Sequence, residues 1–187
     1  MKKALKGELR WLPYKKKLEI LKTVLFFGLS AALFLIGWLS TGTKSNLLTI
    51  VAILGCLPAS KSAVSMIMCL KIRGISPEDA GQIDQRYKDE PGFYNLYFTS
   101  YQKNYEIHHL VIRAKSVIAY SSDPETEAAG FEEHLKTILK QAGISGFNVK
   151  LYKDLDKYLD RVDRLVEMKE EKAGEDRVVS TLFSVSL

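Results

Sequence analysis

The chain has 187 residues and a formal net charge of +5, a length that suits one domain with an appendage. The charge is unevenly spread: Met1–Gly74 carries 12 Lys and Arg against 2 Asp and Glu, whereas Ile75–Leu187 carries 15 against 20. A basic surplus on the apolar half speaks for membrane topology rather than nucleic-acid binding, and two cysteines, Cys56 and Cys69, are too few for a disulfide-built secreted domain.

Residues 1–22 read as a basic leader containing KGELRWLPYKKK. Thr23–Thr43 is a run of 21 residues without a charge, long enough as a helix to cross about 30 Å of hydrocarbon. A cleaved signal peptide is the rival reading, and the long leader and the second apolar segment close behind speak against it. That second segment, Asn46–Leu70, is apolar except for Lys61, which follows Pro58. The expectation is a transmembrane hairpin over 23–72, with spans at about 23–42 and 46–70.

Lys61 is an ionisable residue in an apolar helix, so it is a candidate intramembrane site. A straight helix from Asn46 carries it about 22 Å across the bilayer, which leaves a distance most of which a lysine covers by snorkelling toward the headgroups. A buried contact or ion pathway is the sharper alternative, and a broken helix with Lys61–Ile72 lying along the interface is the third. Pro58 predicts a kink, because it removes a backbone donor.

Lys2, Lys3, Lys6, Arg10, Lys15, Lys16, Lys17 and Lys22 precede the first span, Lys44 alone lies in the turn, and Lys71 and Arg73 follow the second. This places both termini in the cytoplasm. Trp38, Trp11 and Tyr14 fit interfacial anchoring. Gly28, Ser30, Ala31, Ala32 and Gly37 permit close helix packing within the hairpin or between copies. The leader could also bind anionic headgroups, although topology alone accounts for it.

Residues 75–187 read as a soluble cytoplasmic α/β (α+β) domain. Ser76 and Pro77 start a helix that runs to about Tyr87 and stops before Pro91-Gly92. Phe93–Gln102, Tyr105–Arg113 and Ser116–Ser121 read as a three-stranded meander. Asp123-Pro124 opens a helix to about Ala142, with Phe131, Leu135, Ile138 and Leu139 on one face. Phe147–Tyr152 is a short strand, and Asp154 starts a third helix. Val179, Thr181, Phe183, Val185 and Leu187 alternate, which predicts a last strand. The order is α-β-β-β-α-β-α, with that strand after it.

This order is the core order of the restriction-endonuclease-like fold, and Tyr105–Ser122, YEIHHLVIRAKSVIAYSS, resembles the central hairpin of nuclease-related domains. That family reads approximately Q-I-D-H-x-V-V, a turn, then G-I-F-V-I-E-x-K. Ile107, His109 and Val111 match, and Val117 and Ile118 fit the second strand. The resemblance implies a divalent metal held by carboxylates on adjacent strands beside a lysine. At those places stand His108, Ser121 and Asp123, so it also implies that the nuclease activity is gone.

His108, His109 and Asp123 are the candidates for catalysis. Adjacent strand residues point to opposite faces, so the histidines should not share a ligand, with one partly buried and the other exposed. His134 lacks the spacing of a zinc helix. Asp123, Glu125 and Glu127 suit a helix start without further purpose, and the charged run Asp154–Arg164 reads as a solvated face with local ion pairs. No metal or cofactor is expected. The leading expectation is a non-catalytic membrane protein whose α/β domain binds a protein partner or self-associates, with membrane lipid around its hairpin and no nucleic-acid partner. A membrane-tethered divergent nuclease and a small channel or transporter subunit using Lys61 are the alternatives.

Overall fold

The computed structural model describes residues 4–87, 92–101, 103–168 and 174–187. The chain divides into two compact units: Leu12–Arg73 forms one, and Gly74–Leu187 forms the other together with the segment ending at Trp11.

The first unit is a pair of helices, α1 (Trp11–Thr41) and α2 (Leu47–Lys71). Helix α1 begins well before the uncharged run. Pro13 is tolerated because the N–H groups of a first turn lack helical partners, and the basic stretch is held in register by Glu19, whose Oε1 lies 3.4 Å from Lys15 Nζ and 3.2 Å from Lys22 Nζ. Asn46 caps α2, its Oδ1 accepting from Thr49 N at 2.9 Å. From there α2 runs unbroken through Pro58 to Lys71, which sets aside a broken helix lying flat from Lys61.

The helices are antiparallel. Lys16 Nζ donates to Ile72 O at 2.6 Å, Thr23 Oγ1 and Ser62 Oγ share a hydrogen bond of 3.0 Å, and Gly55 faces Ser30. A Cβ on Gly55 would stand 2.7 Å from Ser30 Oγ, so this residue sets how closely the backbones approach. Ala52, Ala59, Ser62 and Cys69 continue the seam, all buried. Of the small residues expected to pack, Ser30 and Gly37 meet α2, whereas a Cβ added to Gly28 would point into open space. Cys69 is a buried packer, but Cys56 is exposed. Outside the seam, Leu25, Leu29, Leu39, Leu47, Ile53 and Leu57 each expose more than half of their surface.

The second unit contains α3 (Pro77–Tyr87), β1 (Gly92–Thr99), β2 (Asn104–Arg113), β3 (Ser116–Tyr120), α4 (Ala128–Gln141), β4 (Asn148–Tyr152), α5 (Leu155–Val166) and α6 (Glu175–Val185). The sheet order is β1-β2-β3-β4. The first three strands form an antiparallel meander, and α4 carries the chain across so that β4 pairs parallel to β3. Helices cover both faces. Phe131, Leu135 and Leu139 of α4 and Val178 and Leu182 of α6 pack with Leu96, Phe98, Ile107 and Leu110. On the other face Ile83 of α3 and Tyr158, Leu159 and Val162 of α5 pack with Val111 and Ile118.

Three elements depart from the sequence reading. The last segment is a helix, not a strand: Val178, Val179, Leu182 and Phe183 share one face at helical spacing, and strand character survives only as a bridge from Ser186 to Phe98. Helix α4 begins at Ala128 rather than at Asp123, because Asp123 is occupied in a turn, its Oδ2 accepting from Thr126 Oγ1 at 2.8 Å. The leader is not one segment. Residues 4–11 belong to the α/β unit, where Gly7 O accepts from Tyr94 N at 2.7 Å, Trp11 is buried rather than placed as a surface anchor, and Lys6 Nζ donates to Phe183 O and Ser186 O at 2.7 and 2.6 Å. Residues 12–22 are helical. The expected strand end at Gln102 and helix stop at Pro91 lie outside the described residues.

Candidate functional site

Strand alternation fails at one place in the sheet. Asn95 adopts φ 54°, a left-handed conformation that asparagine tolerates better than most residues. Its pairing with His108 is missing from an otherwise continuous register. On β2, Ile107 and Leu110 pack in the α4 and α6 core while His109 meets Tyr158 of α5. His108 bonds Glu106 two residues away, and its ring lies 6.1 Å from Tyr120, which packs in the α5 core. The two imidazoles therefore lie on the same side of the sheet, and both are buried, at 3% and 2% exposure. The expected opposition, with one ring exposed, is corrected by the left-handed residue across from them.

His108 is held at both nitrogens. Ser122 N donates to Nδ1 at 3.1 Å, and Ser122 Oγ lies 3.0 Å from the same atom. A backbone N–H can only donate, so Nδ1 is an acceptor and the proton sits on Nε2, 3.3 Å from Glu106 Oε1. Glu106 is buried as well, and its Oε1 accepts from Gly74 N at 2.5 Å. Its main chain is equally engaged: Ser121 Oγ donates to Glu106 O at 2.6 Å, and Glu106 N donates to Thr126 Oγ1 at 2.9 Å. Lys153 Nζ donates to Asp123 O, and burial holds its pKa below the ordinary lysine value. Nearby, Tyr120 Oη donates to Asp79 Oδ2 at 2.9 Å, and burial followed by that bond pushes the phenol up to about 12.

His109 sits in a drier pocket. Its Nδ1 is 2.6 Å from Tyr158 Oη, and the Tyr94 ring lies 4.4 Å from its own. Burial pushes its pKa down to about 3 and holds the Tyr158 phenol well above its usual range. Gly92 makes the pocket possible, since a Cβ there would stand 2.2 Å from His109 Nε2. His134 is elsewhere, its ring 5.6 Å from Tyr105, and burial lowers its pKa. On α5 the charged run is not purely local, for Asp163 Oδ2 accepts from Arg86 of α3 and its Oδ1 from Tyr87, both at 2.5 Å.

Of the sequence candidates, the structure brings His108 and Asp123 into one polar network and leaves His109 in a separate apolar one. Glu106, Ser122, Thr126 and Asn95 were missed. The Glu106-x-His108 spacing carried a usable signal, because residues two apart on a strand share a face. Among the described residues, no three His, Cys, Asp or Glu side chains gather as a metal site. What the network does chemically is tie the end of β3 to β2 and to the chain entering α3.

In the helical unit, Pro58 lies inside α2 and Lys61 is exposed. Because Ser62 faces Thr23, Lys61 stands level with Lys22, where the uncharged run of α1 begins. No family model, curated protein or solved structure matches the chain.

Proposed function

We propose that this is a multi-pass membrane protein that holds an α/β domain at the cytoplasmic face, and that the domain acts by binding a protein partner, a second copy included, rather than by catalysis. The apolar surface of α1 and α2 carries this reading. The helices have 31 and 25 residues, and their most apolar stretches, of mean hydropathy 2.1 and 1.8, are only 17% buried. A core helix of a water-soluble protein hides its apolar stripe against neighbours. These helices hide a seam of small residues and turn their leucines and isoleucines outward, as helices surrounded by lipid do.

Topology follows from connectivity. The segment before α1 and the segment after α2 belong to one compact unit, so a hairpin that crosses a bilayer returns to the side it left. The density of Lys and Arg before α1 and after α2, against Lys44 alone in the turn, supports the cytoplasm as that side. The level of Lys61 with Lys22 supports a snorkelling residue at the edge of the hydrocarbon rather than a pathway through it.

The order α-β-β-β-α-β with the sheet β1-β2-β3-β4 supports the restriction-endonuclease-like resemblance. The divalent metal of that family does not fit here. His108 is engaged at both nitrogens, the Ser121 hydroxyl is bonded to the Glu106 carbonyl, and Asp123 accepts from Thr126. Such a donor set is already spent on internal bonds, which favours binding over metal-dependent cleavage.

Two measurements test the proposal. The full chain should stay in the membrane pellet through an alkaline carbonate wash and leave it in detergent, while protease added outside intact cells leaves residues 75–187 whole. Recovery in the soluble fraction without detergent would refute the membrane reading. Crosslinking in native membranes should give a discrete higher-mass species, and a strictly monomeric, partnerless chain would refute the binding reading.

A further inference from the structure

We infer that Lys22 and Lys61 together form a seat for the phosphate of an anionic phospholipid headgroup, an inference that rests on the membrane reading above. Thr23 and Ser62 face each other across the hairpin at 3.0 Å. One step back along each helix turns the side chain by about 100°. In antiparallel helices those two turns carry Lys22 and Lys61 to the same side of the pair. Helices in contact lie about 8–10 Å apart, a gap that two lysine side chains can close around one phosphate.

Lys22 is exposed and shares the buried Glu19 with Lys15, at 3.2 and 3.4 Å. Among the described residues Lys61 makes no ion pair, and Leu57, Pro58, Ser60 and Val64 are exposed around it. A cation at the margin of an apolar surface needs a counter-charge. Among the described residues no carboxylate pairs with Lys61, and in a bilayer the anion at that depth is the headgroup phosphate. Each lysine close to an anionic leaflet adds measurably to its attraction, and two on one side of a hairpin favour one lipid held between them.

The test uses the full chain in nanodiscs of equal phosphatidylglycerol and phosphatidylcholine, with the lipids retained on release counted by native mass spectrometry. The expected enrichment of phosphatidylglycerol is roughly tenfold or more. K22Q/K61Q should bring the ratio to about one, and Lys17→Gln, a change at an exposed lysine further up α1, should leave it high. Equal retention of both lipids by the parent chain, or an undiminished preference in K22Q/K61Q, overturns the inference. Inorganic phosphate as competitor separates the two sources of the group: a lipid seat keeps its phosphatidylglycerol, whereas full displacement makes the free ion the ligand and overturns the lipid assignment. If the chain leaves the membrane in carbonate, the membrane reading fails first. If it stays but shows no lipid preference, only this inference falls.

Discussion

His109 and Gly92 form a lock made of one ring and one missing side chain. The imidazole is kept uncharged by burial, with its pKa near 3, against about 6.5 in an unfolded chain. Because the folded pKa is depressed, the stabilisation is present above pH 6.5 and is lost as the pH falls toward 3, where the unfolded chain takes up a proton that the folded one refuses. The α/β unit should therefore lose about 1.4 kcal/mol per pH unit in that window, and denaturation midpoints should show this slope flattened in His109→Gln. An unchanged acid slope in that variant would mean that other groups dominate. Gly92→Ala puts a methyl where the ring lies and should destabilise the unit by about 3 kcal/mol through overpacking and loss of the Tyr158 bond, again read from the denaturation midpoint. The sequence showed two adjacent histidines on a strand and the rule of alternation. It could not show that Asn95, opposite them, takes a left-handed turn, because the strand pattern around FYNLYF looks regular.

Among the elements, those with strong local signals were legible. Ser76 and Asp154 cap α3 and α5, accepting from Asp79 N at 3.0 Å and Lys157 N at 3.1 Å. The Ala114-Lys115 turn was placed correctly, yet both residues adopt positive φ, at 48° and 53°, a conformation in which Asn-Gly is preferred. Replacing them with Asn-Gly should raise stability by about 1 kcal/mol, seen as a higher midpoint with the cooperativity unchanged. Helix α6 was misread because RVVSTLFSVSL alternates well enough for a strand. What decides it is the contact of Val178 and Leu182 with the sheet, a tertiary fact that local pattern does not carry. The late start of α4 has a similar origin, since Asp123 can cap a helix or close a turn with Thr126, and here it does the second.

Over the whole molecule, the division into an apolar helical pair and an α/β unit was legible because charge and periodicity change together near Gly74. Membership of the leader was not, since its contacts join residues far apart in the chain. Lys6 places a cation on the last carbonyls of α6, where the helix dipole favours one, and Phe93 and Phe183 stack edge to face, 5.1 Å apart, beside Gly7. Lys6→Met should speed amide exchange in α6 about tenfold, and removing residues 4–10 should speed it further. Exchange that stays as slow as in the parent chain would mean that the leader merely rests on the unit.

That docking also sets an order of events during synthesis. Lys6, which closes the end of α6, leaves the ribosome 177 positions before the carbonyl it binds, and both long helices and all four strands are made in between. A chain lacking residues 175–187 still offers the Tyr94 N–H to Gly7 O but no carbonyl to Lys6, so the segment before α1 gains its full set of contacts only once α6 has been made.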